Sequence, residues 1–323
     1  MSLNTKLTLA AHGIDVNSVV SKTRGGNSVI YKCKKTDGSY IGVKEYLGDA
    51  PRRARSMERE VESLNFLVKH DFKYTSKLIS FNKSKPSICY EWIDGTIPEN
   101  NKYIKNKIEE TLVSLKSLYD VDPNFPLAVD AVSSLDTLNK QIAARIDVAK
   151  AYLINYPEIL QLIQKAYESK KSNSFLIDTF PINTYSFSDI GTHNMLVNSD
   201  GKVYFLDFEF FGADSKVKMI ADMFSHPQTI FAKEEIVSLA IKLSLSDNEF
   251  QQLMNVIPGI AIKWALITSR RLSEQILIDQ GSVNQILEQI RNFLEYSHYL
   301  REISEIGMIL TFPEFQRMQQ YKA

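Results

Sequence analysis

A chain of 323 residues with 44% hydrophobic content can bury a sizeable core, and its length is a soft prior for two lobes or domains. Lys+Arg and Asp+Glu number 38 each, so the zero net charge excludes a global nucleic-acid footprint or a basic membrane-binding surface. No window reaches ~18 uninterrupted apolar residues and no charged segment leads into a long apolar run at the N-terminus, so secretion and membrane spanning are not expected and the cytoplasm is the default. Cys33 and Cys89 both fall inside strand-like runs and read as reduced core thiols, not as a disulfide framework or a metal site.

Residues 1–20 give only a weak amphipathic lead. Arg24-Gly25-Gly26-Asn27-Ser28 then interrupts two strand-like segments, Val19-Val20 and 29–33. Such a glycine turn lets backbone N–H groups approach a phosphate, and it is equally an ordinary hairpin. A second turn at 34–39 leads into the alternating strand 40–46, which carries Lys44 near its end. From 52 to 69 the pattern is helical, with Met57, Val61, Leu64 and Val68 at 3.6-type spacing and Glu60 beside the stripe. Two further strands, 74–81 and 87–92, flank the turn Asn82-Lys83-Ser84-Lys85-Pro86, which makes five strands and one helix.

After Gly95 the composition shifts to long amphipathic helices. Ile104, Ile108, Leu112, Leu115 and Leu118 form one face of the first, closed by Asp122-Pro123-Asn124, and helices near 130–155 and 157–170 follow. In 186–212 the turn Asn198-Ser199-Asp200-Gly201 separates Met195-Leu196-Val197 from Val203-Tyr204-Phe205-Leu206, which predicts a β-hairpin. Counting from its tip, Asn194 and Asp207 should stand side by side, with Asp189 on the preceding loop. An amide and a carboxylate converging at a strand end, beside a second carboxylate, suit oxygen ligation of Mg²⁺ next to a general base. Further on, 218–224 reads as a short helix whose one acid, Asp222, must be buried or partnered. Ser246-Asp247-Asn248-Glu249 is a capping box, and a further long helix is expected to begin around Ile262, Trp264 and Leu266.

The spacing from Asp189 to Asn194, followed by a strand and Asp207-Phe208, resembles the catalytic loop and metal motif of the protein-kinase-like fold. Phe187-Ser188-Asp189 stands where His-Arg-Asp is usual, and Asp207-Phe208-Glu209 where Asp-Phe-Gly is usual. These departures resemble the aminoglycoside phosphotransferase and choline/ethanolamine kinase superfamily, whose choline kinases carry Asp-Phe-Glu followed by an aromatic, as in Asp207 to Phe210. The resemblance implies an α+β, two-lobed fold: an N-terminal nucleotide lobe, 1–94, with a small antiparallel sheet and one helix, and a mainly helical catalytic and acceptor lobe, 95–323. It implies that Gly25, Gly26 and Ser28 approach the phosphates, that Lys44 meets them, and that Glu60, preferred over Glu58 and Glu62, pairs with Lys44. It further implies an adenine hinge at Glu91, Trp92 and Ile93, Mg²⁺ on Asn194 and Asp207, Asp189 as catalytic base, and Asp222 bonded to the catalytic-loop backbone. His193 and Glu209 are candidates for the acceptor or for support of the metal.

The activity this implies is transfer of the γ-phosphoryl group of ATP, or GTP, with Mg²⁺, to a hydroxyl of a small metabolite or antibiotic. A choline/ethanolamine-type kinase is the alternative, and a catalytically silent nucleotide-binding pseudokinase module is the alternative of another class. Choline would call for an aromatic cage, for which 15 Tyr and 17 Phe offer too many candidates to choose among. No Ala-Pro-Glu motif follows Asp207, so a peptide substrate is not expected. The expected partner is a small-molecule acceptor, with no nucleic acid and no membrane.

Overall fold

The computed structural model describes residues 3–25, 27–99, 101–171, 179–226, 228–229, 231–232, 235–272 and 280–309. The chain forms two compact units in alternating segments: Met1–Lys107, Asn124–Val129 and Thr192–Gly212 in the first, Ile108–Pro123, Asp130–Gly191 and Ala213–Ala323 in the second. The sequence reading divides the chain once, after residue 94. In the structure the segment carrying Asn194 and Asp207 instead belongs with the N-terminal sheet.

In the first unit, β1 (Val19–Arg24), β2 (Ser28–Lys34), β3 (Tyr40–Tyr46), β4 (Leu78–Asn82) and β5 (Ser87–Glu91) pair antiparallel in the order β1-β2-β3-β5-β4. Alternation sends Val29, Tyr31, Cys33, Val43 and Cys89 into one cluster with Leu9 of α1 (Leu3–Ala10). Both thiols are free and buried, and burial pushes Cys89 up to about 11, as suits inert core cysteines. The weak amphipathic lead is therefore a docked helix. Its Thr5 and Thr8 are buried, and Thr5 hydrogen-bonds the Tyr31 hydroxyl at 3.0 Å, so polar residues on the inner face blur the hydrophobic pattern.

α2 (Ala50–Lys69) starts at Asp49, whose carboxylate accepts the Arg52 N–H at 2.8 Å. Met57, Val61, Leu64 and Leu67 are buried, whereas Val68, expected on that stripe, is 45% exposed, because the face continues by a step of three residues. Two short strands, β7 (Met195–Val197) and β8 (Val203–Phe205), form the expected hairpin. It is held to the sheet region by two bonds between Thr96 and Val197, at 3.0 and 2.8 Å, and by Phe205 N–H donating to Tyr74 at 2.7 Å. A Cβ on Gly95 would lie 2.8 Å from the Val197 carbonyl oxygen, so this approach requires glycine.

The second unit is built on helices. α3 (Lys102–Val121) buries Ile108, Leu112 and Leu115, and α4 (Leu135–Tyr152) and α5 (Pro157–Lys171) follow. β6 (Thr184–Ser186) and β9 (Gly212–Asp214) pair, leading into α6 (Lys216–Ser225), α7 (Ile236–Lys242), α8 (Asp247–Ser269) and α9 (Gln280–Ile309). α8 packs against α4, α5, α6 and α9 and is the core of the unit. It carries the capping box, with Ser246 and Glu249 bonding each other's backbone. The helix expected to begin near 262 is part of α8, which continues through Pro258; the Pro258 carbonyl accepts the Ser297 hydroxyl at 2.9 Å. Among the described residues, no helix is long and apolar enough to cross a membrane.

Candidate functional site

A pocket of about 110 Å³ lies inside the first unit, lined by Ser28, Lys44, Glu60, Tyr90, Asn194 and Asp207 among others. Lys44 reaches it from the middle of the sheet, Glu60 from the inner face of α2, and Asp207 from just beyond β8. Lys44 Nζ donates to Glu60 Oε2 at 2.5 Å and to Asp207 Oδ1 at 2.8 Å. The Tyr46 hydroxyl also donates to Glu60 Oε2, at 2.6 Å. Burial by itself lowers the Lys44 ammonium, but the Asp207, Glu60 and Glu209 carboxylates outweigh it and hold the lysine above its ordinary value. Burial, opposed by Lys44, raises Glu60. Glu58, a rival on α2, faces Lys83 at 3.4 Å, and Glu62 is exposed.

Asp207 has a φ of +64°, a left-handed conformation that costs a non-glycine residue about 1–3 kcal/mol. Its side chain is 29% exposed while Lys44 and Glu60 are each 5% exposed, so it is the open member of the three. Asn194 ends a short 3-10 turn, is buried, and accepts the Leu206 N–H on its backbone oxygen at 2.8 Å. The register Met195↔Phe205 thus extends to Asn194 opposite Leu206, one residue short of the expected partner Asp207. Both still line the pocket, as does the exposed His193.

Glu209, 4% exposed, accepts an N–H from the Asn27 amide at 3.0 Å, and the Asn27 oxygen accepts from Arg52 at 2.8 Å. Its other oxygen, Oε2, has no hydrogen-bond partner among the described residues. Burial first, then Asp207, raises its carboxyl. The Asp-Phe-Glu segment is thereby tied to the glycine turn. In that turn the Gly25 N–H donates to the Ser28 carbonyl at 2.9 Å, Ser28 is buried at the pocket, and Gly26 lies outside the described residues. A Cβ on Gly25 would meet nothing closer than 3.7 Å, so crowding does not require glycine there.

The expected hinge residues do not line this pocket. Glu91 spends its backbone N–H on Lys77, at 3.0 Å, and its carbonyl on the Ser76 hydroxyl, at 2.5 Å. Both partners lie in the segment just before β4, and the next residue, Trp92, has its own N–H directed at the Tyr40 carbonyl, at 3.4 Å.

Asp189 belongs to the second unit. It follows Ser188, whose φ of +61° is left-handed, and its N–H donates to the Phe187 carbonyl at 2.7 Å. His226, at the C-cap of α6, places Nε2 2.9 Å from Asp189 Oδ1. Asp222 is buried, and its side chain pairs with Lys218, one turn earlier on α6, since two buried opposite charges at i and i+4 satisfy each other. Around them Asp214 accepts N–H groups of Val132 at 3.2 Å and Ser215 at 2.8 Å. Asp130 meets Lys263 at 3.1 Å and Arg145 at 2.9 Å. Sequence reasoning singled out Asp222 as buried or partnered but missed Tyr46, Asn27, Arg52, His226 and the rest of this cluster. Only the i, i+4 spacing of Lys218 and Asp222 was a local signal.

No family model and no curated protein sequence matches the chain. Solved structures do. Choline kinase LicA from Streptococcus pneumoniae superposes with a TM-score of 0.58 at 13% identity, covering 90% of this chain and 98% of that one. A Plasmodium vivax ethanolamine kinase gives 0.59 at 16%, covering 89% and 84%. A spectinomycin phosphotransferase, in complex with ADP and spectinomycin, gives 0.58 at 12%, covering 92% and 98%. These likenesses run along nearly the whole chain, and they show that it has the kinase-like α+β fold of these small-molecule phosphotransferases, an antiparallel N-terminal sheet followed by a mainly helical C-terminal region.

Proposed function

We propose that this chain is a small-molecule kinase that moves the γ-phosphoryl group of ATP to a hydroxyl of a metabolite or antibiotic. The observation that carries this reading is Lys44, held by Glu60 and Asp207 at the wall of a pocket that Asn194 also lines. The fold's likeness to kinases of choline and ethanolamine, and to a phosphotransferase in complex with ADP, supports it.

The donor set fits Mg²⁺. Three carboxylates, Glu60, Asp207 and Glu209, act on one ammonium, so negative charge is in excess, and Asp207 and Asn194 offer the hard oxygen donors such an ion takes. Asn194 and Asp207 would hold the ion, whose chemistry is to neutralise triphosphate charge. Lys44 binds phosphate oxygens from the sheet side, kept there by Glu60. Asp189 accepts the acceptor hydroxyl's proton as that oxygen bonds to the γ-phosphorus, while the bond to the departing ADP oxygen breaks.

The test is ADP formation with Mg²⁺ and ATP across amino alcohols, sugars and aminoglycosides. One or more acceptors should raise turnover, and Asp189→Asn should cut it by about 10²-fold to 10⁴-fold. Stabilisation by Mg²⁺ and ATP with no turnover on any acceptor would make the chain a nucleotide-binding module instead. Full turnover in Asp189→Asn would remove Asp189 from the chemistry.

A further inference from the structure

Asp189 is a half-buried carboxylate, with its side chain 28% exposed, and the imidazole behind it is 2% exposed. The two ring nitrogens of His226 have different partners. Nδ1 accepts the backbone N–H of Gln228 at 3.0 Å, and Nε2 lies 2.9 Å from Asp189 Oδ1. A ring nitrogen that accepts an N–H offers its lone pair and carries no proton, so the imidazole proton is on Nε2 and the bond to Asp189 is donated by His226. Trp264 of α8 meets the imidazole at 80°, with ring centroids 4.6 Å apart, which fixes the plane in which that N–H points.

We propose that His226 is a positioning residue for Asp189, donating from Nε2 to Oδ1 so that the carboxylate meets an acceptor hydroxyl in one orientation. The carboxylate torsion of aspartate is broad and nearly two-fold, so a fixed donor on one oxygen removes most of that freedom. Backbone geometry sets the same point: the left-handed Ser188 and the 2.7 Å bond from Asp189 N–H to Phe187 hold the Cα. His226 itself is too enclosed to reach a substrate, whereas Asp189 has an open side, so the histidine acts through the aspartate. This inference rests on the reading of Asp189 as the base.

Two measurements test it. In a long-range ¹H–¹⁵N spectrum of the labelled full-length protein near neutral pH, His226 should show a protonated Nε2 and an unprotonated Nδ1, and Asp189→Ala should shift the Nε2 signal. A proton on Nδ1, or an Nε2 signal indifferent to Asp189→Ala, would overturn the proposal without any assay of activity. With the best acceptor of the panel, His226→Phe should lower kcat roughly 10-fold to 100-fold. KM for ATP should stay within about twofold, since the loss falls on the chemical step. His226→Gln, which keeps an N–H donor at the Nε2 position, should recover most of kcat. Equal losses in the two variants at native thermal stability would mean a merely structural role. If Asp189→Asn keeps full turnover while the tautomer is as stated, the base assignment fails and the hydrogen bond stands.

Discussion

Two buried clusters of charge, one in each unit, differ in their balance. In the first, Lys44 is opposed by Glu60, Asp207 and Glu209, so one ammonium faces three carboxylates. In the second, Lys218, Lys263 and Arg145 face Asp130, Asp214 and Asp222, three against three. The balanced cluster pairs its charges around α6 and α8, although Asp214 Oδ2, 3.9 Å from Lys218 Nζ, makes no hydrogen bond among the described residues. Burial and the neighbouring Lys218 even pull Lys263 down to about 8, because it has no surplus of carboxylate to hold its proton. The unbalanced cluster lines a pocket, includes a left-handed Asp207, and keeps Lys44 above its ordinary value. Ionic groups arranged only for architecture come out even, since an uncompensated buried charge is costly. An excess of carboxylate at a pocket wall attracts a cation and marks a candidate functional site.

The largest effect should fall on the balanced side. Lys218→Met leaves Asp222 and Asp214 without their central cation and should lower unfolding stability in urea by about 3–5 kcal/mol. A loss under ~1 kcal/mol would mean that this cluster is not held together by its balance. Next comes Asp207→Asn, which removes part of an excess. Turnover should fall about 10²-fold to 10³-fold. The melting temperature should hold or rise, since Lys44 keeps Glu60. If Asp207→Asn unfolds the protein as readily as Lys218→Met does, the contrast between the clusters fails.

The two clusters were unequally legible in the sequence. Helical periodicity sets Glu60 on a different face from Glu62, but Lys44 stood out only through its resemblance to the strand lysine of the kinase-like fold, since its strand buries Gly42, Val43 and Lys44 in succession and does not alternate. The strand-turn-strand pattern at 195–205 was plain. Its register was not: the loop closes with Asn198 N–H on the Lys202 carbonyl, at 3.1 Å, and so sets Asn194 opposite Leu206. The strand end at Glu91 was readable, but the bonds of its backbone groups to Lys77 and the Ser76 hydroxyl depend on how the segment before β4 packs beside it. Asp130 and Lys263, far apart in the chain, meet only through packing, as do Asp189 and His226. No local pattern marks such pairs. α1 was faint for another reason, since its buried threonines look like a solvated face.

The finest test asks at what pH the second cluster is balanced. Asp214 is fully buried, and burial pushes its carboxyl from 3.8 up to about 6, with Lys218 and the Ser215 and Val132 N–H groups pulling back and Asp222 pushing further. Below 3.8 the folded and unfolded chains both hold this proton, so Asp214 adds no pH dependence. Between 3.8 and about 6 the folded protein keeps the proton and the unfolded chain has lost it, so raising the pH favours unfolding. Stability gained from this group is therefore present at low pH and is lost as pH rises through the folded value. The size is roughly 3 kcal/mol for a shift of about two units. Asp214→Asn should abolish that slope: the stability of the wild type relative to the variant should fall by roughly this amount from about pH 4 to about pH 7. A difference that stays level across the range would mean that Lys218 keeps Asp214 ionised throughout, and the cluster would then be even at every pH. A falling difference means that below about 6 the cluster carries an excess of positive charge, opposite in sign to the excess around Lys44.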